Sequence, residues 1–513
     1  MYDQIKFFRR RQFVLGPKHL NYKGWNKLII DDKHLLTIHP DLTVSIVEKQ
    51  GIKAILLGYA IDPYHTKLED EDILKNLISG QLSLYDIILK LNSLSGRFVL
   101  IIKSSEGLWL FPDACALRQV NYCKDMQGAV WCASQAETLS EYFGFEYDEE
   151  VLSYRNLPRY RSSKDEFWML NDRTPYREIR YLLANHYLDL LTGEVYRFRP
   201  TAGSINPLSA GRSIQLSTPI LQNSIKTAVQ RFDLKMGISA GSDSRRTLAA
   251  SKDVKDQIYF FTHTPRSFNN ADNIIPARLL PKFGIKHHQF EMQLMSSEFR
   301  KYYECSATWA RERRGHIAHT AYLNFGPETT VLNSNLSEIS QCWYWLPKSK
   351  INGEGLALAS RLYHPFAIKE FQNWIEGARS SCELANMNIL TLFDIELRSR
   401  WVAAAFAEYD IAYDTFCPYN NFYFLSLEIS VNERHRRRRL DVLIKHIKYM
   451  WPELLNEPIN PPDRTIEKIQ QFIWKKVIHK TITPLFPIYD YLRYIKLRRL
   501  FKHQTQNLEI QEN

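Results

Sequence analysis

Cysteine is scarce and scattered in this 513-residue sequence: seven residues, at 115, 123, 132, 305, 342, 382 and 417, with no Cys-x-x-Cys pair. An odd number at such spacing excludes a disulfide frame and a zinc ribbon, so reduced core or surface thiols are expected. Long apolar runs are lacking too. No stretch approaches the ~18–20 residues that cross a bilayer. Near the N-terminus, Phe13-Val14-Leu15 is too short for the apolar heart of a signal sequence. A cytoplasmic protein is expected. There are no internal repeats and no low-complexity tracts. With 45% hydrophobic and 24% charged residues, a disordered or fibrous chain is excluded. One core seldom serves a chain this long, so two or three domains are expected.

Acidic residues fall short of basic ones, 56 against 67, which leaves a formal net charge of +11. The excess is local. From Arg464 to Lys502 there are ten Lys/Arg against two acids, Glu467 and Asp490, interleaved with aromatics. A second cluster is Arg434-His435-Arg436-Arg437-Arg438-Arg439. Both are expected to be solvated helix faces packed by their apolar sides. Peripheral contact of the C-terminal segment with an anionic membrane surface is the alternative. No nucleic-acid partner is expected.

Residues 1 to about 200 read as short strands between turns: 51–59, 96–102, 108–111 and 129–133, with helices near 71–78 and 85–91. The Gly/Pro/Ser-rich stretch 200–213 reads as a linker. After it, strands alternate with helices: a helix at 219–231, a strand at 234–238, a helix at 245–251 and a strand at 258–262. A helix at 273–283 and a strand at 330–332 come next. That alternation predicts a parallel sheet covered on both faces. Beyond about residue 355 the pattern is mostly helical.

The stretch Ser239-Ala240-Gly241-Ser242-Asp243-Ser244 falls between a strand and a helix. Small residues let the backbone turn sharply and bring its N–H groups close to an anion. The helix behind adds unsatisfied donors and the positive end of its dipole. Asp243 is suited to the magnesium that a polyphosphate carries. No Lys-Ser/Thr follows the glycine, so this is not a Walker loop. His287-His288, side by side, point to opposite faces of a strand and do not make a metal site. The acidic run Glu69-Asp70-Glu71-Asp72 reads as a helix start.

Ser239–Ser244 resembles the Ser-Gly-Gly-x-Asp-Ser loop of the PP-loop ATP pyrophosphatases, and its surroundings resemble the asparagine synthetase family, which includes β-lactam synthetases and lasso peptide cyclases. The resemblance implies ATP over the loop, with Ser239, Ala240, Gly241, Ser242, Asp243 and Ser244 holding the phosphates. It also implies that Thr262 and Asp272 contact the nucleotide, with Gly284-Ile285-Lys286-His287-His288 further along. Its second acidic loop matches Val331–Glu338, where Glu338 would be catalytic and, with Asp243, a Mg²⁺ ligand; the family's glycines are missing there. Gly96-Arg97-Phe98-Val99-Leu100, Phe111-Pro112-Asp113 and Cys132–Glu137 resemble the glutaminase half of these enzymes. Tyr2 stands where the nucleophilic cysteine belongs, and Cys115 is internal, so glutamine hydrolysis is expected to be absent. Weaker similarities are Glu396-Leu397-Arg398, Trp401, Asp410, Asp414 and Pro418-Tyr419-Asn420. The family's lysine after Trp451–Leu455 has no match; Asn460 and its neighbours stand there.

The fold so implied is an N-terminal Ntn-hydrolase-like αββα domain (1–205), a PP-loop parallel-sheet α/β domain with a mostly helical C-terminal part (206–505), and a polar tail (506–513). The function implied is an amide-forming ligase that adenylates a small-molecule, peptide or sugar carboxylate with ATP and Mg²⁺. Its amine donor would not come from its own glutaminase domain. The alternatives are a degenerate nucleotide-binding scaffold and a PP-loop enzyme acting on RNA.

Overall fold

The computed structural model describes residues 4–80, 83–157, 169–264, 270–436, 441–461 and parts of 491–499. Most of the basic C-terminal segment and Tyr2 lie outside the described residues, as do Arg437–Arg439.

The first two sheets are antiparallel. One contains β1 (Phe13–Gly16), β2 (Asn26–Asp31), β3 (His34–Ile38), β8 (Asn121–Lys124), β9 (Val130–Ala133) and β10 (Arg180–Tyr181), in the order β10-β8-β9-β1-β3-β2. The other contains β4 (Val44–Lys49), β5 (Ile52–Ile61), β6 (Ser95–Lys103), β7 (Leu108–Pro112), β11 (His186–Asp189) and β12 (Val195–Arg197), in the order β12-β11-β7-β6-β5-β4. Because side chains alternate along a strand, each sheet has two buried faces to fill. Ile55, Leu57, Val99 and Ile101 meet Phe13, Leu15, Leu36 and Ile38 between the sheets. On the far side of the second sheet, Leu56, Leu100 and Ile102 pack on Ile73, Leu77 and Ile87 of the helices Asp70–Leu77 and Leu84–Leu91. On the far side of the first, Val14 and Trp131 pack on Leu139 of the helix Ala136–Phe143. The result is an αββα sandwich. The β5–β6 ladder is close-packed: Gly96 (φ +124°) lies so near Tyr59 that a Cβ would sit 2.3 Å from the Tyr59 carbonyl oxygen.

The third sheet is wholly parallel, β15-β14-β13-β16-β17, built from β13 (Leu234–Gly237), β14 (Tyr259–Thr264), β15 (His287–Glu291), β16 (Thr330–Leu332) and β17 (Asp414–Phe416). The order turns back at β13, so the crevice above β13 and β16 is the switch point where doubly wound sheets bind ligands. Among the described residues helices dominate beyond residue 353, the longest of them being Pro365–Ala385.

Two helices begin three or more residues before the sequence reading has them. The helix expected at 219–231 begins at Ala210, inside the expected linker; Ser209 caps it by accepting from Arg212 N–H, and Pro219 lies within it. The helix expected at 245 begins at Ser242, since Gly241 takes the extended N-cap geometry and Ser242–Ser244 form the first turn. The acidic run does start a helix. Beyond that, Asp70 accepts from Ala60 N–H and pairs with Arg231, joining the sandwich to the helix Ala210–Arg231.

Among the described residues no helix is long and apolar enough to cross a membrane.

Candidate functional site

β13 ends at Gly237, and the chain turns through Ser239-Ala240-Gly241 into the helix Ser242–Ala250. The turn is braced from several sides. Ser239 N–H and Oγ meet Ser244 Oγ at 3.2 and 3.1 Å, and Gly241 N–H donates to Ser239 Oγ at 3.1 Å. Ala240 N–H donates to Asp272 Oδ1 at 2.9 Å, and Ala240 O accepts from Asn460 N–H at 3.0 Å. Asn460 is presented by the segment 454–458, whose carbonyls Arg245 gathers. The position where the family would have its lysine therefore holds the turn through its backbone. The first N–H groups of the Ser242 helix have no intrahelical acceptor, and the N-cap supplies no side-chain acceptor.

Against this turn lies a cleft of about 470 Å³, within the usual range for a small-molecule site. Ser239, Asp243 and Ser244 line one wall. Asn333, Ser334, Asn335 and Glu338, which come after β16, line another. Phe261, His263, Ile317, Trp343, Arg398, Tyr409 and Tyr413 complete it. The loop after β16 is fixed to the helix by Arg246. That buried guanidinium donates to Glu428 Oε2 at 2.7 Å and reaches Ser337 O and Ser340 Oγ. Burial and Arg246 hold His446, beside it, far below its ordinary pKa, so it accepts at Nδ1 as a neutral ring.

The charges in the cleft are unevenly matched. Asp243 Oδ1 is buried and has no hydrogen-bond partner among the described residues. Burial, and then the Glu338 carboxylate, push Asp243 up to about 6. Glu338 Oε1 accepts from Arg398 Nη2 at 2.5 Å, and Arg398 Nη1 reaches Asp394 Oδ1 at 3.2 Å. Asp394 is likewise pushed up to about 6 by burial, which outweighs Arg398. A buried carboxylate oxygen without a donor, near a second carboxylate, is an arrangement that a hard dication would relieve. Mg²⁺ commonly takes one or two carboxylates and completes its shell with phosphate oxygens and water. Asp243 and Glu338 fit that demand, and no cluster of three or more His/Cys/Asp/Glu is found among the described residues.

The other expected site residues fall elsewhere. Ala240 and Ser242 are buried in the turn. Thr262 does not line the cleft; its hydroxyl donates to Ile238 O at 2.7 Å and meets His287 Nε2 at 2.9 Å, tying β13 to β14 and β15. Asp272 braces Ala240 and uses up one of the N–H groups expected to face phosphate. His288 stacks on Tyr259 at 4.1 Å, so the histidine pair packs the edge of the sheet. In the basic cluster, Arg436 is buried against Ser340 O and Ile339 O, which removes it from any solvated face.

Sequence reasoning gives no role to His263, Trp343, Tyr409 or Tyr413, and Arg398 stands out there only as part of a weak motif. In the sandwich, burial raises the thiols of Cys115 and Cys132 well above the ordinary range and Cys123 to about 12, so none of the three is a ready thiolate.

No family model and no curated protein matches the chain. Solved structures with some likeness include glutamine phosphoribosylpyrophosphate amidotransferase from B. subtilis with ADP and GMP (11% identity, 50% of this chain and 62% of that one, TM-score 0.23). Another is an allosteric regulatory enzyme of purine biosynthesis (10%, 59% and 75%, 0.25). A third is the NH₃-dependent NAD synthetase from Campylobacter jejuni with nitrate (14%, 39% and 96%, 0.21). TM-scores this low leave the fold to be read from the strand order itself: an αββα sandwich joined to a doubly wound parallel sheet.

Proposed function

We propose that this protein is an ATP-using amide ligase resembling the asparagine synthetases, with an amine donor that its own sandwich does not generate. The observation that carries the reading is the buried Asp243 Oδ1, without a hydrogen-bond partner among the described residues, in a cleft that Glu338 also lines at the sheet's switch point, beside a helix N-terminus without a capping side chain. In this reading the helix N–H groups and the Ser239 and Ser244 hydroxyls receive the β- and γ-phosphates. Asp243 and Glu338 hold Mg²⁺, which would neutralise charge on the phosphate oxygens. Arg398 is the described cation lining the cleft and faces the same oxygens.

Atoms and charge balance in two steps. A carboxylate oxygen bonds to the α-phosphorus, and the bond to pyrophosphate breaks. An amine then bonds to the acyl carbon, the bond to AMP breaks, and the amine loses a proton. Holding the reactants together in one cleft and neutralising phosphate charge are what this chain's residues contribute. The carboxylate is of the small-molecule, peptide or sugar class.

The pairing of Glu338 with Arg398 favours a second reading, a protein that binds MgATP without turning it over. A screen of pyrophosphate release from ATP across carboxylates and amines tests both. Release that depends on Mg²⁺ and vanishes in Asp243→Asn supports the ligase. MgATP binding with no release across the screen supports the second reading, and no MgATP binding sinks both.

A further inference from the structure

The first domain has no thiolate to offer, yet it grips the element that carries Arg398. Residues Asp394–Arg398 form a π-turn between the helices Ile389–Phe393 and Ser399–Tyr409. Such a turn inserts one residue and rotates the next helix by about 100° relative to an uninterrupted one. Its hydrogen bonding is poorer, so it persists where neighbours hold it.

Here the neighbours come largely from the sandwich. Glu396, fully buried at the centre of the turn, accepts from Arg197 Nη1 of β12 and, at 3.1 Å, from Asn185 Nδ2. Trp374 Nε1 donates to its other oxygen at 2.9 Å. Just beyond the turn, Ser399 Oγ, whose hydroxyl donates to Ile395 O, lies 3.2 Å from Cys115 O. Arg400 donates to Asn171 O and Arg173 O and stacks on Tyr181. While Glu396 is held toward the sandwich, Asp394 and Arg398, four residues apart and paired with each other, face the other way, with Arg398 in the cleft beside Glu338.

We propose that Arg197 and Asn185 are positioning residues for the nucleotide cleft: through Glu396 they hold the π-turn in the phase that delivers Arg398 to Glu338 and the phosphates. The inference rests on the nucleotide reading of the cleft. The sandwich is thereby part of the synthetase site, whatever else it does.

The test measures MgATP affinity of the full chain by calorimetric titration, together with the melting temperature of each variant. Arg398→Met is expected to weaken MgATP binding about ten-fold, the effect of losing one well-placed charge. Arg197→Met should weaken it comparably although it lies outside the cleft. The double variant should be no worse than Arg398→Met alone, because both act through one group. Arg197→Lys should recover part of the loss. Asn185→Gly, which suits the left-handed backbone at that position (φ +66°), should give a smaller loss of about three-fold.

Wild-type affinity in Arg197→Met, or losses that add in the double variant, would reduce the latch to a structural contact and overturn the proposal. Should Arg197→Met fail to fold, Asn185→Gly decides alone: affinity unchanged from wild type refutes the latch, and a loss absent in the Arg398→Met background supports it. A wild-type protein that binds no MgATP would overturn the nucleotide reading and this inference with it. MgATP binding by the wild type that none of these variants weakens would overturn the inference alone.

Discussion

Two clusters of arginine and carboxylate occupy this molecule and differ in how completely they are matched. Between the αββα sandwich and the segment around β17, Arg97 forks onto Asp410 at 2.5 and 2.7 Å and also reaches Asp414 at 3.0 Å, while Arg118 meets Asp414 at 3.2 Å. Burial raises Asp410 in spite of Arg97, whereas at Asp414 Arg118 and Arg97 outweigh burial and hold the carboxyl at about 2. In the cleft, Arg398 pairs with both Glu338 and Asp394, Asp243 has no ion pair among the described residues, and burial pushes Asp243 and Asp394 up to about 6. The same residue types serve as a rivet in one place and as a charge-deficient socket in the other. Completeness of pairing separates them, since an acid left short of donors in a low-dielectric cleft is one that a ligand can satisfy.

Substitutions should therefore act with opposite sign on stability in the two clusters. The largest effect is expected for Arg97→Met, which strands Asp410 and leaves Asp414 to Arg118. A loss of about 3–5 kcal/mol is expected by denaturant unfolding, and a near-neutral result would mean the interface is not closed as described.

Asp243→Asn should do the reverse. Its carboxyl is raised in the fold, so the folded state favours the proton: stability from this group is present at low pH and is lost as pH rises through about 6. Removing the charge should stabilise the protein at about pH 7.5, by on the order of 1–3 kcal/mol, with the gain gone by about pH 4, while abolishing Mg²⁺-dependent ATP binding. Thermal melts across that range check the sign.

A smaller change is expected in Glu338→Gln. Mg²⁺-dependent ATP binding in the wild type should rise with pH through a midpoint of about 6, as Asp243 ionises. Without the neighbouring carboxylate that midpoint should move down. An unmoved midpoint would break the link between the two acids.

The smallest is Thr262→Val, which removes two hydrogen bonds from the sheet. About 1 kcal/mol of stability should go, with MgATP affinity unchanged, because Thr262 stands outside the cleft. A large loss of affinity would return Thr262 to the site.

The parallel sheet is readable in the sequence because β13, β14 and β16 are short apolar runs set off by turns, and the strand–turn–helix around Asp243 announces itself through small residues. The strands β1–β4 are not: Phe13–Gly16 is only four residues long, and β2 and β4 have exposed faces with polar residues that blur the alternation. Asp272 can be found by spacing, yet its use as an acceptor for Ala240 N–H depends on where the helix Ala271–Leu279 starts in space. Arg398 cannot be assigned from sequence, because its importance comes from meeting Glu338, sixty residues earlier in the chain.

Local chemistry, written in neighbouring residues, determined the turn at Ser239–Gly241, the carboxylate just beyond it and the alternation that makes a doubly wound sheet. Only the packed structure decided which charges are answered and which are left wanting. Pairing depends on groups far apart in sequence, and whether a carboxylate is satisfied is a property of its surroundings.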